Sequence, residues 1–328
     1  MPIKIRDLVR RLIPIARRRK RELIIAHGDV DGVISAVIAA RSLGLEDAEV
    51  YFSGPRSIDR ALSKVPDGGE RLVIVDVAMN PDKVDAVESE LRRLRDSGWN
   101  VLWIDHHIWP DGVVDRLSRY ADVRVRPAPS AARVVLEELG GRDYERELAR
   151  IADDADTATY RDERAKMYNA LTRDREKRAY LVEALMEGRL EDEKVVRWAR
   201  EKLRDQERRV EEGLRRVRVL ETASGRRFAL IDLRPRGGPG SLISRRLSDE
   251  VDFSLVLYSC NKFSLYAGRD RSVDLRPICE EHGGGGHPYA CGGRIEMNIL
   301  KRILCLLLGH RYFPREVRDL VEEVRARL

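Results

Sequence analysis

Residues 23–32 read LIIAHGDVDG, a short apolar run that ends abruptly in histidine and aspartate. Runs of the same kind recur in the first half of the chain, at Leu23–Ala26, Val50–Phe52, Leu72–Val75 and Val101–Ile104. Helix-like patterns lie between them, among them Val33–Leu43 and Val84–Leu94. Apolar strands that alternate with helices are typical of βαβ units, whose parallel sheet is buried on both faces. The sequence therefore predicts an α/β fold with its functional edge at the carboxyl ends of the strands.

Polar side chains follow three of these runs at the point where each run ends. They are His27, Asp29, Asp31, Asp76, Asp105, His106 and His107. A fourth acidic stretch, Ala152–Asp156, follows a helical pattern. Carboxylates gathered at one sheet edge repel each other unless a cation binds between them. Mixed imidazole and carboxylate ligands suit Mn, Fe or Zn, and two ions that share a carboxylate can activate a water for phosphoryl displacement.

Each of these residues also has a purely structural interpretation. Asp29 or Asp31 alone is a common helix N-cap, and Asp76 could open a loop. A single histidine is more often structural than a metal ligand, and the acidic stretch could be a solvated turn. We favour a metal centre because His and Asp recur together at separate strand ends.

The second half of the chain is organised differently. Residues 161–217 are highly charged, with apolar side chains at helical spacing, which predicts helices that link two domains. Strand-like runs follow at Phe228–Ile231, Phe253–Leu257 and Phe263–Tyr266, and the end of the chain, Pro314–Leu328, is predicted to be a helix.

Four consecutive glycines, Gly283–Gly286, precede His287 in this second half. Glycine lets backbone N–H groups approach an anion closely, and His287 with Arg269 or Arg271 could add charge-assisted hydrogen bonds. A flexible linker is the alternative interpretation. We favour a phosphate-binding segment because a helical pattern precedes the glycines and an apolar stretch follows, although the Gly-Lys-Ser/Thr of a P-loop is absent.

Composition narrows the class of protein. With 328 residues, 43% of them hydrophobic, and a net charge of +6, the chain is too apolar for a disordered polyelectrolyte and long enough for two domains. Four cysteines without a CxxC pair, no signal-peptide pattern and no long apolar stretch predict a cytoplasmic protein with reduced thiols and no membrane partner. A single glutamine among many charges favours a thermophile. The pI of 9.2 favours nucleic-acid partners, with a solvated arginine-rich surface as the alternative.

The motifs HGDVDG, VIVDV, WIDHH and ADDAD, in this order, resemble the four motifs of the DHH phosphoesterase family. GGGGHPYACGG resembles the GGGH motif of the C-terminal domain associated with that family. The resemblance extends from His27 to about Ile295 and favours the archaeal type. It implies a catalytic parallel-sheet domain over 1–165, a helical connector over 166–217, and a smaller mixed α/β substrate-binding domain with a helical tail over 218–328.

The resemblance also implies roles for individual residues and two bound Mn²⁺ ions, with Mg²⁺ or Co²⁺ as alternatives. The implied metal ligands are His27, Asp29, Asp31, Asp76, His106 and Asp153, with Asp156 open as the alternative to Asp153. Asp76 matches the bridging ligand, His107 the histidine that faces the substrate phosphate, and Asp105 a residue that orients its neighbours. The implied substrate-binding residues are Arg269, with Arg271 as the alternative, Gly284, Gly285, Gly286 and His287.

The activity implied is that of a nanoRNase-like phosphodiesterase or exonuclease that hydrolyses short single-stranded RNA or DNA, and a homodimer is compatible with the resemblance. A RecJ-like single-strand DNA exonuclease and a cyclic-dinucleotide phosphodiesterase are the alternatives. The glycine motif disfavours a manganese pyrophosphatase, and the intact first domain disfavours a tRNA-editing protein. A replication scaffold without activity is disfavoured because every ligand position holds Asp or His.

Overall fold

The computed structural model describes residues 22–45, 47–270 and 272–328. Arg271, the predicted alternative to Arg269, lies outside the described residues. The chain divides after Leu203 into two compact units, called unit 1 and unit 2 below. The division falls inside a long helix, within the segment predicted as a connector, and the domain bounds given above stay a prediction.

Unit 1 is built on a five-stranded parallel sheet with the order β2-β1-β3-β4-β5. The strands are β1 (Glu22–Ala26), β2 (Glu49–Phe52), β3 (Arg71–Val75), β4 (Asn100–Asp105) and β5 (Asp122–Val125). Successive side chains of a strand point to opposite faces, so that Ile24 and Ile25 enter two different apolar clusters. The sheet is therefore buried on both faces, as the apolar runs predict.

Helices cover both faces of this sheet. They are α1 (Val30–Ser42), α2 (Ile58–Leu62), α3 (Val84–Asp96), α4 (Val113–Leu117), α5 (Ala131–Leu139), α6 (Asp143–Asp156), α7 (Glu163–Thr172), α8 (Arg175–Met186) and α9 (Glu193–Leu214). A short 3-10 helix, Pro81–Lys83, precedes α3. One apolar cluster joins the sheet to α1 and α5–α8, and the other joins it to α2, α3 and α4.

Unit 2 contains a six-stranded sheet with the order β10-β11-β9-β8-β7-β6, in which β7 and β8 are parallel and the other pairs antiparallel. The strands are β6 (Arg218–Glu221), β7 (Arg227–Asp232), β8 (Phe253–Ser259), β9 (Lys262–Ala267), β10 (Gly285–His287) and β11 (Ala290–Arg294). The helices are α10 (Gly240–Arg246), α11 (Arg276–Glu281), α12 (Ile299–Leu308) and α13 (Arg315–Arg327), and Gly309–Arg311 form a 3-10 turn. The predicted fold class, a parallel-sheet domain joined by helices to a mixed α/β domain, is confirmed.

The expectation of reduced thiols is wrong for this structure. Cys260 pairs with Cys305, and Cys279 pairs with Cys291, so that no cysteine is free. The sequence did not indicate these disulfide pairs because no two cysteines are close together along the chain. They meet only where α12 packs beside the β8–β9 turn and α11 beside β11.

Within the described residues, every helix is too short or too polar to cross a membrane.

Candidate functional site

Three neighbouring strands of unit 1 deliver the predicted metal ligands to one edge of the sheet. Strand β3 pairs with β1 on one side and β4 on the other, all in parallel, so that their carboxyl ends lie side by side. His27 and Asp29 follow β1, Asp76 follows β3, and His106 follows β4. The topology therefore brings these predicted residues to one edge of the sheet.

The turn after β1 holds two aspartates in different environments. Asp29 is the N-cap of α1, where its side chain accepts a hydrogen bond from Gly32 N at 3.1 Å, so the helix begins at Val30 and not at the predicted Val33. Gly32 is required here because a Cβ atom would lie 2.3 Å from the His27 carbonyl oxygen. Asp31 is buried in the first turn of the helix. Its position therefore depends on a glycine that lets α1 start against the β1 turn.

The Asp31 carboxylate is held from the far side by the start of α5. It accepts hydrogen bonds from the backbone N–H groups of Ala131 at 2.7 Å and Ala132 at 2.9 Å. These amides are 100 and 101 residues away in sequence, and N–H groups in the first turn of a helix have no intrahelical partner. The α5 N-terminus thus fixes the orientation of a predicted metal ligand.

Asp76 lies at the centre of the cluster. Its carboxylate oxygens are 3.8 Å from His27 Nδ1, 3.8 Å from His106 Nε2 and 4.0 Å from His107 Nδ1. Its backbone φ of 57° is in the left-handed region, which aspartate tolerates better than most residues but still at a cost. Its amide donates to Ile104 O at 3.1 Å, so the sheet holds this conformation in place.

The two histidines after β4 are oriented by different partners. His106 Nδ1 donates to the carbonyl oxygen of Ala128 at 3.1 Å, which leaves Nε2 to face the cluster. A hydrogen bond of this kind to a backbone carbonyl is typical of histidines that bind metals. His107 Nδ1 donates to Asp105 at 2.9 Å, and Asp105 also accepts from Trp109 Nε1 at 2.7 Å. Asp105 therefore contacts both His107 and Trp109.

The electrostatics of the cluster favour a bound cation. Burial raises the pKa of Asp31 to about 7, although the α5 amides oppose this. Burial, and then the charges of Asp31, Asp29 and Asp105, hold the pKa of Asp76 well above its ordinary value. The hydrogen bond to Asp105 raises the pKa of His107. Carboxylates held this close in a buried position are costly without a positive charge between them.

The residues present fit a pair of divalent cations. Three groups have ligand atoms within 4.8 Å of one another: His27 with Asp29 and Asp76, Asp76 with His106 and His107, and Asp31 with His106 and Asp156. Atoms that each ligate one cation at about 2.1 Å lie no more than roughly 4 Å apart. Asp76 Oδ2 and His106 Nε2 are buried without a hydrogen-bond partner among the described residues. Buried polar atoms of this kind need a partner, and a cation supplies one to both.

The structure places the two candidates of the fourth motif differently. Asp156, the last residue of α6, has its Oδ2 atom 3.6 Å from His106 Nε2. Asp153 instead accepts hydrogen bonds from Ser130 Oγ at 2.6 Å and from Arg133 Nε at 3.1 Å. Its charge is thereby compensated, and it belongs to none of the three ligand groups. The geometry therefore brings Asp156 into the cluster and leaves Asp153 beside Arg133, against the preference for Asp153 drawn from the sequence.

Sequence reasoning missed the residues that support the cluster from outside. Arg178 of α8 donates to Gly28 O at 3.1 Å and to Thr172 O at 3.2 Å, and so ties the β1 turn to the helical part of unit 1. Ser130 and Arg133 hold Asp153. No short motif marks these residues, because each acts through a contact between distant parts of the chain.

The glycine segment of unit 2 forms a hairpin. Gly285 and His287 begin and end β10, an edge strand that pairs with β11. A Cβ atom on Gly284 would lie 1.8 Å from Gly292 O, and one on Gly286, at φ 145°, would lie 2.6 Å from Ala290 O. Gly285 has open space around it. Two of the three predicted phosphate-binding glycines are therefore required by the hairpin itself.

The predicted substrate-binding side chains His287 and Arg269 have different neighbours. The His287 ring is exposed and lies 4.9 Å from the ring of Tyr289. Arg269 Nε donates to Asp252 Oδ1 at 2.6 Å, which engages its guanidinium. Lys262 and Arg294, which the sequence analysis did not single out, line a cavity of about 300 Å³ together with Gly284.

Comparisons with known proteins agree with this fold. The pGpG-specific phosphodiesterase PggH from Vibrio cholerae matches with a TM-score of 0.56 and 20% identity, over 88% of this chain and 98% of that one. RecJ from Thermus thermophilus in complex with Mn²⁺ matches with a TM-score of 0.55 and 15% identity, over 94% of this chain and 52% of that one. An exonuclease RecJ bound to manganese matches with a TM-score of 0.53 and 15% identity, over 92% and 94%. At these identities the likeness is one of fold.

The sequence matches none of the curated proteins. Residues 22–160 match the model of the DHH family, N-terminal domain. This range extends from β1 to just beyond the end of α6 and contains every residue of the three ligand groups. Residues 22–160 of this chain are therefore similar to the N-terminal domain of the DHH family.

Proposed function

We propose that this chain is a metal-dependent phosphoesterase that hydrolyses phosphodiester bonds in short single-stranded oligonucleotides. The observation that carries the proposal is the position of Asp76, between two histidine and carboxylate groups at the carboxyl edge of the sheet. A shared carboxylate between two ligand groups is the arrangement that a pair of cations requires.

The chain offers ligands for two cations. His27, Asp29 and Asp76 would hold one, and Asp31, His106 and Asp156 would hold the other, with Asp76 shared between them. When bound, two such ions lower the pKa of a water and offset negative charge on phosphoryl oxygens. The mixed nitrogen and oxygen donors favour Mn²⁺ over Ca²⁺, with Mg²⁺ and Co²⁺ as alternatives.

His107 is suited to contact the substrate phosphate. Its side chain is 44% exposed, and Asp105 both orients the ring and stabilises its protonated form. A protonated imidazole can donate to a phosphoryl oxygen and offset the charge that develops there during displacement. Asp105 is a positioning residue in this scheme because it acts through His107.

Unit 2 would supply recognition of the nucleotide. We assign substrate contact to the glycine hairpin with His287, and to Arg269 once it exchanges Asp252 for a phosphate. Short oligonucleotides are the favoured substrates because the fold extends over nearly the whole length of PggH, whose stated substrate, pGpG, is a dinucleotide. The RecJ likeness supports single-stranded DNA exonuclease activity as the second candidate.

The test is digestion of labelled RNA and DNA in the presence of Mn²⁺. Dinucleotides to pentanucleotides, a cyclic dinucleotide and long single strands are supplied separately, and products are resolved over time. We expect the short RNA to be cleaved fastest. Stepwise shortening of long DNA would place the RecJ-like exonuclease activity first. Turnover of the cyclic substrate alone would support a cyclic-dinucleotide phosphodiesterase.

Asp76→Ala provides the negative control for this assay, and Asp82→Ala, an exposed aspartate in the 3-10 helix before α3, is its matched counterpart. Asp76→Ala should abolish hydrolysis and Asp82→Ala should leave it unchanged. Absence of hydrolysis by the Mn²⁺-loaded wild-type chain on every substrate would overturn the proposal, as would near-normal turnover by Asp76→Ala.

A further inference from the structure

Unit 2 contains a second cavity that is distinct from the glycine hairpin. It has a volume of about 420 Å³ and lies between the end of α9, the loop that follows β7, and the 3-10 turn Gly309–Arg311. Its charged lining residues are five arginines and one glutamate, namely Arg208, Arg209, Arg216, Arg234, Arg236 and Glu212, and His310 also lines it. A concave surface with this balance of charge attracts anions.

The hydrogen-bond donors of this cavity divide into two sets. Arg234 is buried and bound by Asp232, with Nε to Oδ1 at 2.8 Å and Nη2 to Oδ2 at 2.6 Å. Arg208 and Arg209 are both paired with Asp205. Arg234 is therefore neutralised by its own carboxylate, whereas Arg208 and Arg209 are exposed and share a single one.

The second set has no partner within the described part of the fold. Arg216, Arg236 and His310 are exposed, and none of their side chains takes part in a hydrogen bond or ion pair with another described residue. They come from three separate elements, namely the residues after α9, the loop after β7 and the 3-10 turn. Three unpaired donors from separate elements that face one cavity are available to a ligand.

The backbone around the cavity is shaped for close approach. Gly237, at φ 70°, and Gly238 carry no side chain at the rim of the cavity. A Cβ atom on Gly213 of α9 would lie 2.3 Å from Ile243 Cδ1, so α9 and α10 are in tight contact at this wall. A rigid wall with an open glycine rim leaves room for a ligand without rearrangement of the unit.

We propose that the cavity lined by Arg216, Arg236 and His310 binds a backbone phosphate of a single-stranded polynucleotide. Guanidinium groups match phosphate oxygens with paired, parallel hydrogen bonds. The described lining residues include no Phe, Tyr or Trp on which bases could stack, so the contact is independent of sequence. The proposal rests on the proposed function, and it adds a reason for longer strands to bind more tightly than dinucleotides.

The experiment measures binding in the full-length chain without hydrolysis. In the Asp76→Ala background, Arg216→Glu and Arg236→Glu are combined and compared with the combination of Arg245→Glu and Arg318→Glu, two exposed arginines outside the cavity lining. Both combinations change the net charge equally. Fluorescence anisotropy with a labelled long strand and a labelled dinucleotide is recorded over a range of salt concentrations.

We expect the cavity variant to lose about tenfold or more in affinity for the long strand and to retain its affinity for the dinucleotide. The slope of log K against log salt should fall by about 0.7 for each lost phosphate contact. The control should change both quantities much less. Equal affinities and equal slopes for the two combinations would overturn the proposal, and Arg216→Gln with Arg236→Gln repeats the test if charge reversal disturbs folding.

Two further arms separate the remaining outcomes. Inorganic phosphate is titrated by calorimetry, and binding that is lost in the cavity variant while strand affinity is unchanged would assign the site to free phosphate and overturn the strand proposal. In the presence of an intact Asp76, the cavity variant should hydrolyse dinucleotides at the wild-type rate. If the wild type hydrolyses nothing, the proposed function fails, whereas the binding comparison still decides the cavity.

Discussion

Asp76 combines a buried carboxylate, three neighbouring acidic groups and a left-handed backbone. We expect Asp76→Asn to raise the free energy of unfolding by about 1–2 kcal/mol when no metal is present, because functional residues are often destabilising. Asparagine has the same shape and tolerates positive φ, so the substitution removes the ionisable group and replaces one carboxylate oxygen with an NH2 group. Urea unfolding in EDTA compares this variant with wild type and with Asp82→Asn.

Urea unfolding repeated with Mn²⁺ distinguishes the effect of the Asp76 charge from a general increase in the stability of the variant. Wild type should gain about 2.7 kcal/mol when free Mn²⁺ is a hundred times its dissociation constant, and Asp76→Asn should gain far less. A variant that is less stable than wild type in EDTA, or equally stabilised by Mn²⁺, contradicts the view that the carboxylate is held there for a cation.

Asp153 and Asp156 are three residues apart on α6 but have different neighbours. We expect Asp156→Ala to weaken Mn²⁺ binding by at least tenfold, because it removes an oxygen that faces His106. Asp153→Ala should leave Mn²⁺ affinity within a fewfold of wild type and lower stability by about 1–3 kcal/mol, since it leaves Arg133 and Ser130 without their partner. Calorimetric titration and thermal unfolding of both variants measure the two effects, and the reverse pattern would restore Asp153 as the ligand.

Among the elements, the β10–β11 hairpin shows that consecutive glycines are not equivalent. A methyl group at Gly284 would meet the backbone oxygen of Gly292, whereas one at Gly285 would meet nothing within 4 Å. We expect Gly284→Ala to lower the stability of unit 2 by about 2 kcal/mol or more and Gly285→Ala to change it by less than about 0.5 kcal/mol. Thermal unfolding of the two variants is the measurement, and equal effects would mean that the hairpin adapts to a side chain at Gly284.

The strands that carry the candidate site were predictable because their signal is local. The apolar runs of β1, β3 and β4 are buried on both faces, and the polar residues that follow them in sequence also follow them in space. Strand β5 was not predicted because its sequence, Asp-Val-Arg-Val, contains no apolar run. The strand lies at the edge of the sheet and has no buried residue. Strand β10 escaped because glycine disfavours strands and the segment was interpreted as a phosphate-binding loop.

The finer geometry of the site was not predictable for a related reason. Helical spacing places Asp153 and Asp156 on neighbouring faces of α6, and only the position of α5 decides which of them meets Arg133. The hydrogen bonds from α5 to Asp31 span 100 residues. Contacts at such separations leave no periodic pattern in the sequence.

For the whole molecule, the two units differ in what stabilises them. All members of the three metal-ligand groups belong to unit 1, and both disulfides belong to unit 2. The apolar clusters divide in the same way, with one pair in each unit. Each unit can therefore respond separately to a change in its own environment.

We accordingly expect two thermal transitions in the full-length chain, each sensitive to a different reagent. Mn²⁺ should raise one transition and leave the other unchanged, because among the described residues only unit 1 gathers histidine and carboxylate ligands. A reductant should lower the other, since a disulfide that closes a loop of the size formed by Cys279 and Cys291 contributes about 3 kcal/mol, and the longer loop formed by Cys260 and Cys305 somewhat more. Calorimetry with each reagent alone and with both gives the four curves needed, and Cys279→Ser with Cys291→Ser should reproduce part of the effect of the reductant without altering the response to Mn²⁺. A single transition that moves with both reagents would contradict this prediction. It would show that the two units unfold cooperatively, because a reagent that changes the stability of one unit would then shift the unfolding of both.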